Sequence, residues 1–376
     1  MKKGWKIAGI SLLLVVLLVL VVLLSYVAYL SVGYYRIKDN LEVAVNNNTE
    51  EVVELNKSYS ISTYNIGFGA YSHDFSFFMD SGEMLDGTKV SGNKSRASSE
   101  EVVLYNTNGA IETIQNLDTD FSFFQEVDIK ADRSLFVNQY EMISESFSAY
   151  SNSFVENMHT RYLCYPFNEP IGSIKSGQVT LSKFKIDKSV RRSFPIDESF
   201  IQKFFDLDRC FEVNYLPIQN SDKKLVLINL HMSAYDEGGK IREKQLDMLL
   251  TFMEGEYNKG NYVIAGGDWN HDIADSINTF TSKQKVPEWV KEINESELPE
   301  HFSFAKNTSV ATCRSTDMPY EKGVNYTVVL DGFLVSDNIQ IDSIENIDTN
   351  FEYSDHNPAY MTFTLLQEEE TGETIE

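Results

Sequence analysis

The feature that most constrains this chain is an uncharged stretch near its N-terminus. From Ile7 to Tyr35 no residue carries a charge, and Leu12 to Leu24 is almost entirely Leu and Val. A helix of about 20 apolar residues spans a bilayer, so the stretch predicts one transmembrane helix. A cleaved signal peptide is the alternative, but its apolar region is only ~7–15 residues long and ends at a small-x-small site. Val27-Ala28-Tyr29 fits such a site poorly. We therefore favour an uncleaved anchor, formed by residues 1–33.

The charges beside this stretch predict its orientation. Lys2, Lys3 and Lys6 precede it, whereas Arg36 and Lys38 follow it and reduce the contrast. Positive flanks are retained in the cytoplasm. We therefore expect a single-pass protein of the cell membrane, with a cytoplasmic N-terminus and an extracytoplasmic domain.

Composition divides the rest of the chain. Residues 34–57 are polar and acidic, which predicts a stalk. Residues 58–366 alternate between apolar and polar segments and predict one large folded domain. Residues 367–376 form an acidic tail, for which we predict disorder.

The net charge restricts the partners of this domain. The chain has 32 Lys and Arg against 56 Asp and Glu, a net charge of -24. Proteins that hold nucleic acid by bulk electrostatics are basic. A long polyanion is therefore disfavoured as a partner unless bound cations neutralise the surface locally.

The cysteines are too few and too scattered for a disulfide framework or a zinc site. Only Cys164, Cys210 and Cys313 are present, and no CxxC spacing occurs. They could form one bridge, but three free, buried thiols is the interpretation that we favour.

The densest group of reactive side chains lies in Asn261–Asp272. Tyr262–Ala265 predicts a short buried strand, and Gly266-Gly267 predicts a sharp turn at its end. Four polar residues follow the turn: Asp268, Asn270, His271 and Asp272. An acid, an amide and an imidazole at one strand end suit phosphoester chemistry on a hard metal ion. The same pattern also occurs in ordinary loops, and we assign His271 and Asp272 to local turn structure.

The remaining pattern predicts a domain that mixes helices and strands. Helical patterns run over residues 100–116, with Ser98 or Ser99 as the cap, over Arg133–Tyr140 and over Gly239–Tyr257. Strand patterns run over Ile61–Ile66, Phe121–Phe124, Leu225–Leu230, Val328–Val335 and Ala359–Leu365. Long loops are predicted over Tyr71–Ser99 and Asp272–Asn325. We interpret the aromatic patch Phe75–Phe78 as loop packing, with lipid contact as the alternative. This mixture predicts a large α/β domain with mixed sheets.

Polar residues recur where these strands end. They are Asn65, Glu126, His231, Asp268 with Asn270, Asp331, and Asp355 with His356. Oxygen ligands without Cys suit Mg²⁺, Mn²⁺ or Ca²⁺. Histidines transfer protons near neutral pH, and an Asp beside a His fixes its tautomer.

The motifs around these residues resemble the endonuclease/exonuclease/phosphatase superfamily, which includes DNase I-like nucleases, apurinic endonucleases, neutral sphingomyelinases and inositol-polyphosphate 5-phosphatases. They occur in the family's order: STYNIGFG (62–69), FFQEVD (123–128), NLHMSAY (229–235), GGDWNHD (266–272), VLDGFLVSD (329–337) and YSDHNPAY (353–360). The resemblance covers most of residues 58–366. It implies an α/β (α+β) fold, a four-layer DNase I-like sandwich of two mixed β-sheets flanked by helices. With its anchor, the chain resembles a membrane-anchored member of bacterial type.

The resemblance also implies a metal site. Glu126 would be the main metal carboxylate, with Asn65 beside it, and Asp355 would help to hold the metal or its water. The metal would be Mg²⁺, or Mn²⁺ or Ca²⁺ in its place.

The same resemblance implies the catalytic roles. His356 would be the general base or acid, and Asp331 would orient it. Asp268 would align the nucleophile, Asn270 would hold a phosphoryl oxygen or a second ion, and His231 would stabilise charge on the phosphate. In the loop between His159 and Asn168, Arg161 could contact a substrate phosphate.

The function that we expect is that of a membrane-anchored, divalent-metal-dependent phosphoesterase that uses a His-activated water. The anchor and the acidic charge favour a small phosphoester or a phospholipid headgroup as substrate, because tethering concentrates the enzyme at a lipid surface. An extracytoplasmic DNase I-like nuclease is the alternative. A catalytically silent binding module is a third interpretation, and the filled catalytic positions argue against it. No protein partner is implied.

Overall fold

The computed structural model describes residues 2–200, 202–234 and 240–367. Among these residues the chain forms two seven-stranded sheets, two short hairpin-like pairs and four α-helices. The helices are α1 (Lys2–Gly33), α2 (Glu100–Leu117), α3 (Gln139–Ser146) and α4 (Lys240–Tyr257).

Both large sheets are mixed. The first has the order β1 (Leu41–Val43), β9 (Lys188–Ser193), β10 (Cys210–Pro217), β11 (Lys224–His231), β12 (Tyr262–Asp268), β16 (Asp331–Ser336) and β13 (Phe302–Ala305). The second has the order β17 (Ile339–Asn346), β18 (Ala359–Leu365), β3 (Ser58–Asn65), β6 (Phe121–Asp128), β8 (Gly172–Ser182), β7 (Ser151–Leu163) and β2 (Val45–Asn46). The short pairs are β4 (Ser81–Glu83) with β5 (Lys89–Ser91), and β14 (Cys313–Arg314) with β15 (Thr327–Val328). Within the large sheets, the pairs β11–β12 and β3–β6 are parallel, and the other pairs are antiparallel.

The two sheets pack face to face. Phe121 and Phe363 from the second sheet share one buried cluster with Leu227 and Ile264 from the first. Apolar residues on α4 cover the outer face of the first sheet, and those on α2 cover the outer face of the second. Each sheet thus buries both faces, which gives the four layers helix, sheet, sheet and helix. The predicted sandwich is confirmed.

The helix predictions are confirmed in two places and wrong in one. Ser99 caps α2 and accepts a hydrogen bond from the Val102 N–H at 3.4 Å, as its position predicts. The helix predicted over Gly239–Tyr257 is α4, described from Lys240 onward. The helix predicted over Arg133–Tyr140 instead begins at Gln139, because Leu135 and Phe136 have left-handed φ values of 53° and 65°, which a right-handed helix cannot contain.

The predicted turn at Gly266-Gly267 is also wrong, because β12 continues through both glycines to Asp268. Gly267 has φ of 145°, and a Cβ there would lie 2.0 Å from the Leu230 carbonyl oxygen. The glycine therefore lets β11 and β12 approach each other. This close pairing carries the ends of both strands to the same place.

The stalk prediction for residues 34–57 differs from the structure. β1 pairs with β9, and β2 pairs with β7, so this segment adds one edge strand to each sheet. Ile37 N–H also donates to Asp208 at 2.7 Å. The segment is therefore bound to the folded domain along its length rather than standing apart from it. The predicted acidic tail lies, beyond residue 367, outside the described residues.

Within the described chain, one helix is long and apolar enough to span a membrane, over Gly4–Gly33. At 1.5 Å per residue the 30 residues measure about 45 Å, more than the ~30 Å of a hydrocarbon core. Its apolar side chains are exposed as far as Leu24, whereas Leu30 near its end is buried against the domain. The three cysteines are free, and Cys210 and Cys313 are buried.

Candidate active site

The pairing of the strands assembles the candidate site. In the first sheet the register places His231 beside Asp268, and Asp268 beside Asp331. In the second sheet the parallel strands β3 and β6 end at Asn65 and just beyond Glu126. The ends of neighbouring parallel strands lie at one edge of a sheet. Residues that are far apart in sequence therefore meet at one point.

Glu126 reaches this point through a bulge in its strand. The register between β6 and β8 shifts between Phe124 and Val127, and Glu126 has a left-handed φ of 56°. An extra residue in one strand turns its side chain away from the normal alternation. A non-glycine residue held at positive φ is common at functional sites. Here the bulge directs the Glu126 carboxylate into the cavity that His356 also lines.

Asp268 lies at the centre of the group. Its Oδ2 accepts a hydrogen bond from Asn65 Nδ2 at 2.9 Å and lies 3.4 Å from His231 Nε2 and 3.7 Å from His356 Nε2. The Asn270 N–H donates to its other oxygen at 2.9 Å. Burial opposes ionisation, but the two histidines and these donors lower the pKa of Asp268. This residue is therefore an anion that faces two imidazoles.

His356 and Asp331 form a buried pair. His356 Nδ1 lies 2.8 Å from Asp331 Oδ2, and both residues are almost fully buried. Burial alone would lower the pKa of His356, but the carboxylates of Asp331 and Asp268 raise it well above its usual value. The pair fixes the tautomer and leaves Nε2 facing Asp268 and the cavity. The pair therefore stabilises the imidazolium form, so that Nε2 can hold a proton taken from water and return it to a leaving group.

His231 has the opposite character. Burial, followed by repulsion from Arg209, lowers the pKa of His231 to about 3. Its Nδ1 has no hydrogen-bond partner among the described residues. His231 is therefore a neutral imidazole that can donate a hydrogen bond but does not titrate near neutral pH.

Two groups in this cavity could hold a metal ion. Glu126 and Asp355 both line this cavity. Burial raises the pKa of Glu126 to about 6, Arg133 opposes that effect, and repulsion from Asp355 adds to it. Burial also raises the pKa of Asp355. Asn65 Nδ2 lies 3.3 Å from Glu126 Oε1, and its own oxygen accepts from the Gly67 N–H. Two desolvated carboxylates that repel each other form a donor set that fits a hard divalent cation.

The second group consists of Asp268, Asp331 and His356, whose candidate ligand atoms lie within 4.8 Å of one another. In this group, Nδ1 of His356 and Oδ2 of Asp331 are already engaged in a hydrogen bond with each other. The arrangement is therefore better suited to moving a proton than to holding a cation.

Eight of the nine residues that the sequence predicts for this site come together. Asn65 and Asp331 bind the lining residues from behind, and the other six line the cavity: Glu126, His231, Asp268, Asn270, Asp355 and His356. The ninth, Arg161, does not line the cavity. Its guanidinium lies 5.6 Å from the ring centroid of Tyr29 on α1, so the structure does not place it at a substrate phosphate.

Three buried arginines that the sequence prediction missed also line the cavity. Arg133 donates to both carboxylate oxygens of Asp128, and Arg314 donates to the Tyr71 carbonyl. Arg314 leaves only its Nε without a hydrogen-bond partner among the described residues, whereas Arg209 leaves both Nε and Nη1 without one although it is only 5% exposed. A buried guanidinium with unpaired donors beside a cavity is suited to an anion. No recognisable spacing marks Arg209, which immediately precedes β10.

His271 and Asp272 serve the local turn, as predicted. Asp272 accepts hydrogen bonds from the backbone of Ala274, Ser276 and Ile277. His271 Nδ1 lies 2.7 Å from the Trp269 carbonyl oxygen. Neither residue lines the cavity.

Comparisons with solved structures agree with this fold. An endonuclease/exonuclease/phosphatase from Beutenbergia cavernae matches with a TM-score of 0.55 at 13% identity, covering 82% of this chain and 72% of that one. The D. rerio TDP2 humanized by 14 mutations matches with a TM-score of 0.50 at 14% identity, covering 82% and 99%. The human Nocturnin catalytic domain matches with a TM-score of 0.50 at 13% identity, covering 86% and 96%. At these identities the similarity concerns the fold alone.

Comparisons of the sequence itself identify the family. No curated protein matches this sequence significantly. The sequence pattern of the Endonuclease/Exonuclease/phosphatase family matches residues 103–356, which is more than half of the chain. This range contains Glu126, His231, Asp268, Asp331 and His356, the residues that the two sheets bring together. The chain therefore belongs to the Endonuclease/Exonuclease/phosphatase family.

Proposed function

We propose that this protein is a membrane-anchored, divalent-metal-dependent phosphoesterase that acts on a small phosphoester or a phospholipid headgroup. One observation carries the proposal: the His356–Asp331 pair faces Asp268 in the same cavity that the carboxylates Glu126 and Asp355 line. Family membership supports hydrolysis of phosphoric esters. The apolar helix α1 supports the anchor.

Glu126 and Asp355 would hold the metal, with Asn65 orienting Glu126. A bound Mg²⁺ or Mn²⁺ would polarise the phosphoryl group and neutralise part of its charge. Arg133, bonded to Asp128 and close to Glu126, limits the charge that accumulates at the carboxylates.

The protein's own residues would move the proton. Asp268 and His356 would together position a water molecule on their cavity side, and His356 Nε2 would take its proton as the oxygen attacks phosphorus. The new P–O bond forms as the bond to the alcohol oxygen breaks, and the alcohol leaves with a proton that His356 can return. His231, Asn270 and Arg209 would stabilise the charge on the phosphoryl oxygens.

Charge favours this substrate class over nucleic acid. The net charge of -24 repels a long polyanion, whereas a single phosphate needs only the local cations of the cavity. An extracytoplasmic nuclease remains the second candidate, because the family that matches includes endonucleases and exonucleases as well as phosphatases. A silent binding module would not need the complete set of catalytic residues.

The test is a substrate panel. The full-length protein in detergent is incubated, with and without Mg²⁺ or Mn²⁺, with DNA, RNA, phosphatidylcholine, phosphoinositides and a chromogenic phosphodiester, beside the His356→Ala variant. We expect metal-dependent turnover of lipid or small ester that the variant lacks. Cleavage of nucleic acid alone would favour the nuclease, and metal binding without any turnover would favour the binding module.

Replacing Arg209 should weaken the binding of the substrate's phosphoryl group. We expect Arg209→Met to lower kcat/KM by ~10–100-fold, because a hydrogen bond to a charged group contributes about 1.5–3 kcal/mol. Arg209→Lys should recover part of the loss, since it keeps the positive charge but not the planar set of guanidinium donors. The matched control is Arg192→Met, because Arg192 lies over the rings of Phe211 and Phe252, outside this cavity. Equal losses in the Arg209 and Arg192 variants would contradict the assignment.

A further inference from the structure

The last turns of α1 are bonded to one wall of the active-site cavity. Tyr26 Oη accepts from the Cys164 N–H at 3.0 Å and donates to the Tyr162 carbonyl at 3.2 Å. Tyr29 Oη accepts from the Tyr162 N–H at 3.2 Å. Leu30 is buried in a cluster with Leu163. The anchor thus contacts the last residues of β7 and Cys164, which follows the strand.

That cluster also forms one side of the cavity. It joins the anchor residues Tyr26, Leu30 and Tyr34 to apolar side chains of the domain. Six of these side chains line the cavity, and we call them the apolar wall: Phe77, Phe78, Met158, Leu163, Ile171 and Leu207. The cavity has a volume of about 400 Å³. Glu126, Asp268 and His356 line the same cavity, so catalytic groups and hydrocarbon surface share one space.

The apolar wall continues outward into exposed side chains. The ring of Phe78 lies 5.7 Å from that of Tyr165, which lies 6.0 Å from that of Phe167. Tyr165 and Phe167 belong to a set of five large, exposed apolar residues that we call the rim: Met79, Tyr165, Phe167, Phe200 and Phe205. Phe167 is 86% exposed and Phe200 is 58% exposed. Exposed apolar groups in one place indicate a surface for a partner or a membrane.

The position of the rim favours a membrane over a protein partner as the surface that covers it. The exposed part of α1 up to Leu24 is long enough for a bilayer core, which places Tyr26, Tyr29 and Tyr34 at the interface, where tyrosines are enriched. The rim is anchored to the same turns, because Tyr34 packs on Phe204 at 5.7 Å and Phe204 packs on Phe200 at 5.5 Å. Lys203 Nζ lies 5.1 Å from the Tyr34 ring centroid, where a lipid phosphate would meet it.

We propose that the apolar wall is a hydrocarbon subsite, and that the rim admits the substrate sideways from the leaflet in which α1 ends. The proposal rests on the phosphoesterase function proposed above and specifies its substrate class: an amphiphile whose apolar part joins the scissile phosphate. The phosphate lies at His356 and Asp268 while the first part of the chain lies on Phe78 and Leu163. A water-soluble phosphoester would fill only the polar side of the cavity.

Photo-crosslinking tests the subsite without relying on turnover. Full-length His356→Ala protein is reconstituted in vesicles of equal parts phosphatidylcholine and phosphatidylglycerol, with a phosphatidylcholine that carries a diazirine near its acyl ester. After irradiation the labelled peptides are identified by mass spectrometry. We expect label on α1, as on any membrane helix, and also on residues 77–79, 163–171 or 205–207. Label on α1 alone would overturn the proposal.

Rim variants provide the second measurement. In the His356→Ala background, Tyr165→Ser/Phe205→Ser should lose most label from the apolar wall and keep the label on α1. In the otherwise unchanged protein, the same pair should lower turnover of long-chain lipid about tenfold or more, because apolar contacts are removed, and leave a chromogenic phosphodiester within about twofold. The matched control is Phe136→Ser, which replaces an aromatic residue that is 54% exposed, as Tyr165 is, but does not line the cavity.

The outcomes separate this proposal from the function on which it rests. Turnover of the soluble diester with label on α1 alone would retain the phosphoesterase and remove the hydrocarbon subsite. Label on the apolar wall with no metal-dependent turnover of any ester would retain the subsite and remove the proposed function. An unlabelled wall, together with a dimer that the rim variant dissociates, would assign the rim to a second copy of the chain and overturn the proposal.

Discussion

His356→Ala is expected to lower the rate of phosphoester hydrolysis by ~10²–10⁴-fold, the usual contribution of a positioned general base. The imidazole is the one group in the cavity whose Nδ1 is held by a carboxylate, at 2.8 Å, while its Nε2 faces the reacting centre. Asp268 cannot replace it, because Asp268 is an ionised carboxylate with a lowered pKa and accepts protons poorly. Initial rates at saturating metal measure the effect.

The chain contains a matched control for this variant. His301 Nδ1 lies 2.8 Å from Asp337 Oδ2, the same contact as in the His356–Asp331 pair, but both side chains are half exposed at the surface. His301→Ala should therefore leave the rate unchanged. Mg²⁺ binding should be retained in both variants. If His356→Ala hydrolyses substrate within tenfold of the unchanged protein, the role assigned to His356 is wrong.

The parts of the site that the sequence predicts are those at strand ends. Asp268 and His231 each end an apolar strand, and their strands are neighbours in the sheet. A strand of period two fixes which side chains share an edge, so short motifs carry much of the geometry. The motif order then predicts which family assembles them. The His356–Asp331 contact does not follow in this way, because Asp331 begins β16 of the first sheet and His356 precedes β18 of the second.

The parts that the sequence does not predict depend on contacts between distant loops. The apolar wall combines residues 77–78, 158–171 and 207, and no periodicity in any one segment indicates that they meet. Arg209 is a single residue before a strand, and its importance becomes visible only through its burial and its unpaired donors. The anchor's contact with this wall is equally hidden, because composition predicts a free stalk after α1.

Buried polar residues concealed the longest strands. β7 and β8 are the two longest, yet they carry Asn157 and Gln178 in the interior, where an apolar pattern is expected. Their side-chain nitrogens have no hydrogen-bond partner among the described residues. Other buried polar groups pair between the sheets, where Glu212 accepts hydrogen bonds from Thr180 at 2.6 Å and Ser189 at 3.0 Å. Polar groups that satisfy one another across two sheets cannot be recognised from one strand alone.

Glu126→Gln is expected to abolish metal-dependent stabilisation and to lower turnover by ~10³-fold, since a bound metal contributes several kcal/mol of charge stabilisation in the transition state. The substitution keeps the size of the side chain, and Gln can occupy the bulge at φ of 56° as Glu does. What it removes is one of the two negative charges. The shift in the thermal unfolding midpoint on adding Mg²⁺ measures this directly, because a ligand that binds only the folded state stabilises it. We expect the shift to disappear.

The direction in which Glu126→Gln shifts the unfolding midpoint without metal distinguishes a metal ligand from a structural carboxylate. Burial raises the pKa of Glu126 to about 6, so its ionised form opposes folding near neutral pH when no metal is bound. Metal-free Glu126→Gln protein should therefore unfold at the same temperature as the unchanged protein or at a higher one. Glu112→Gln, on the exposed face of α2, should alter neither midpoint. If Glu126→Gln instead lowers the midpoint without metal and keeps the Mg²⁺ shift, Glu126 holds the bulge together and the cation binds elsewhere.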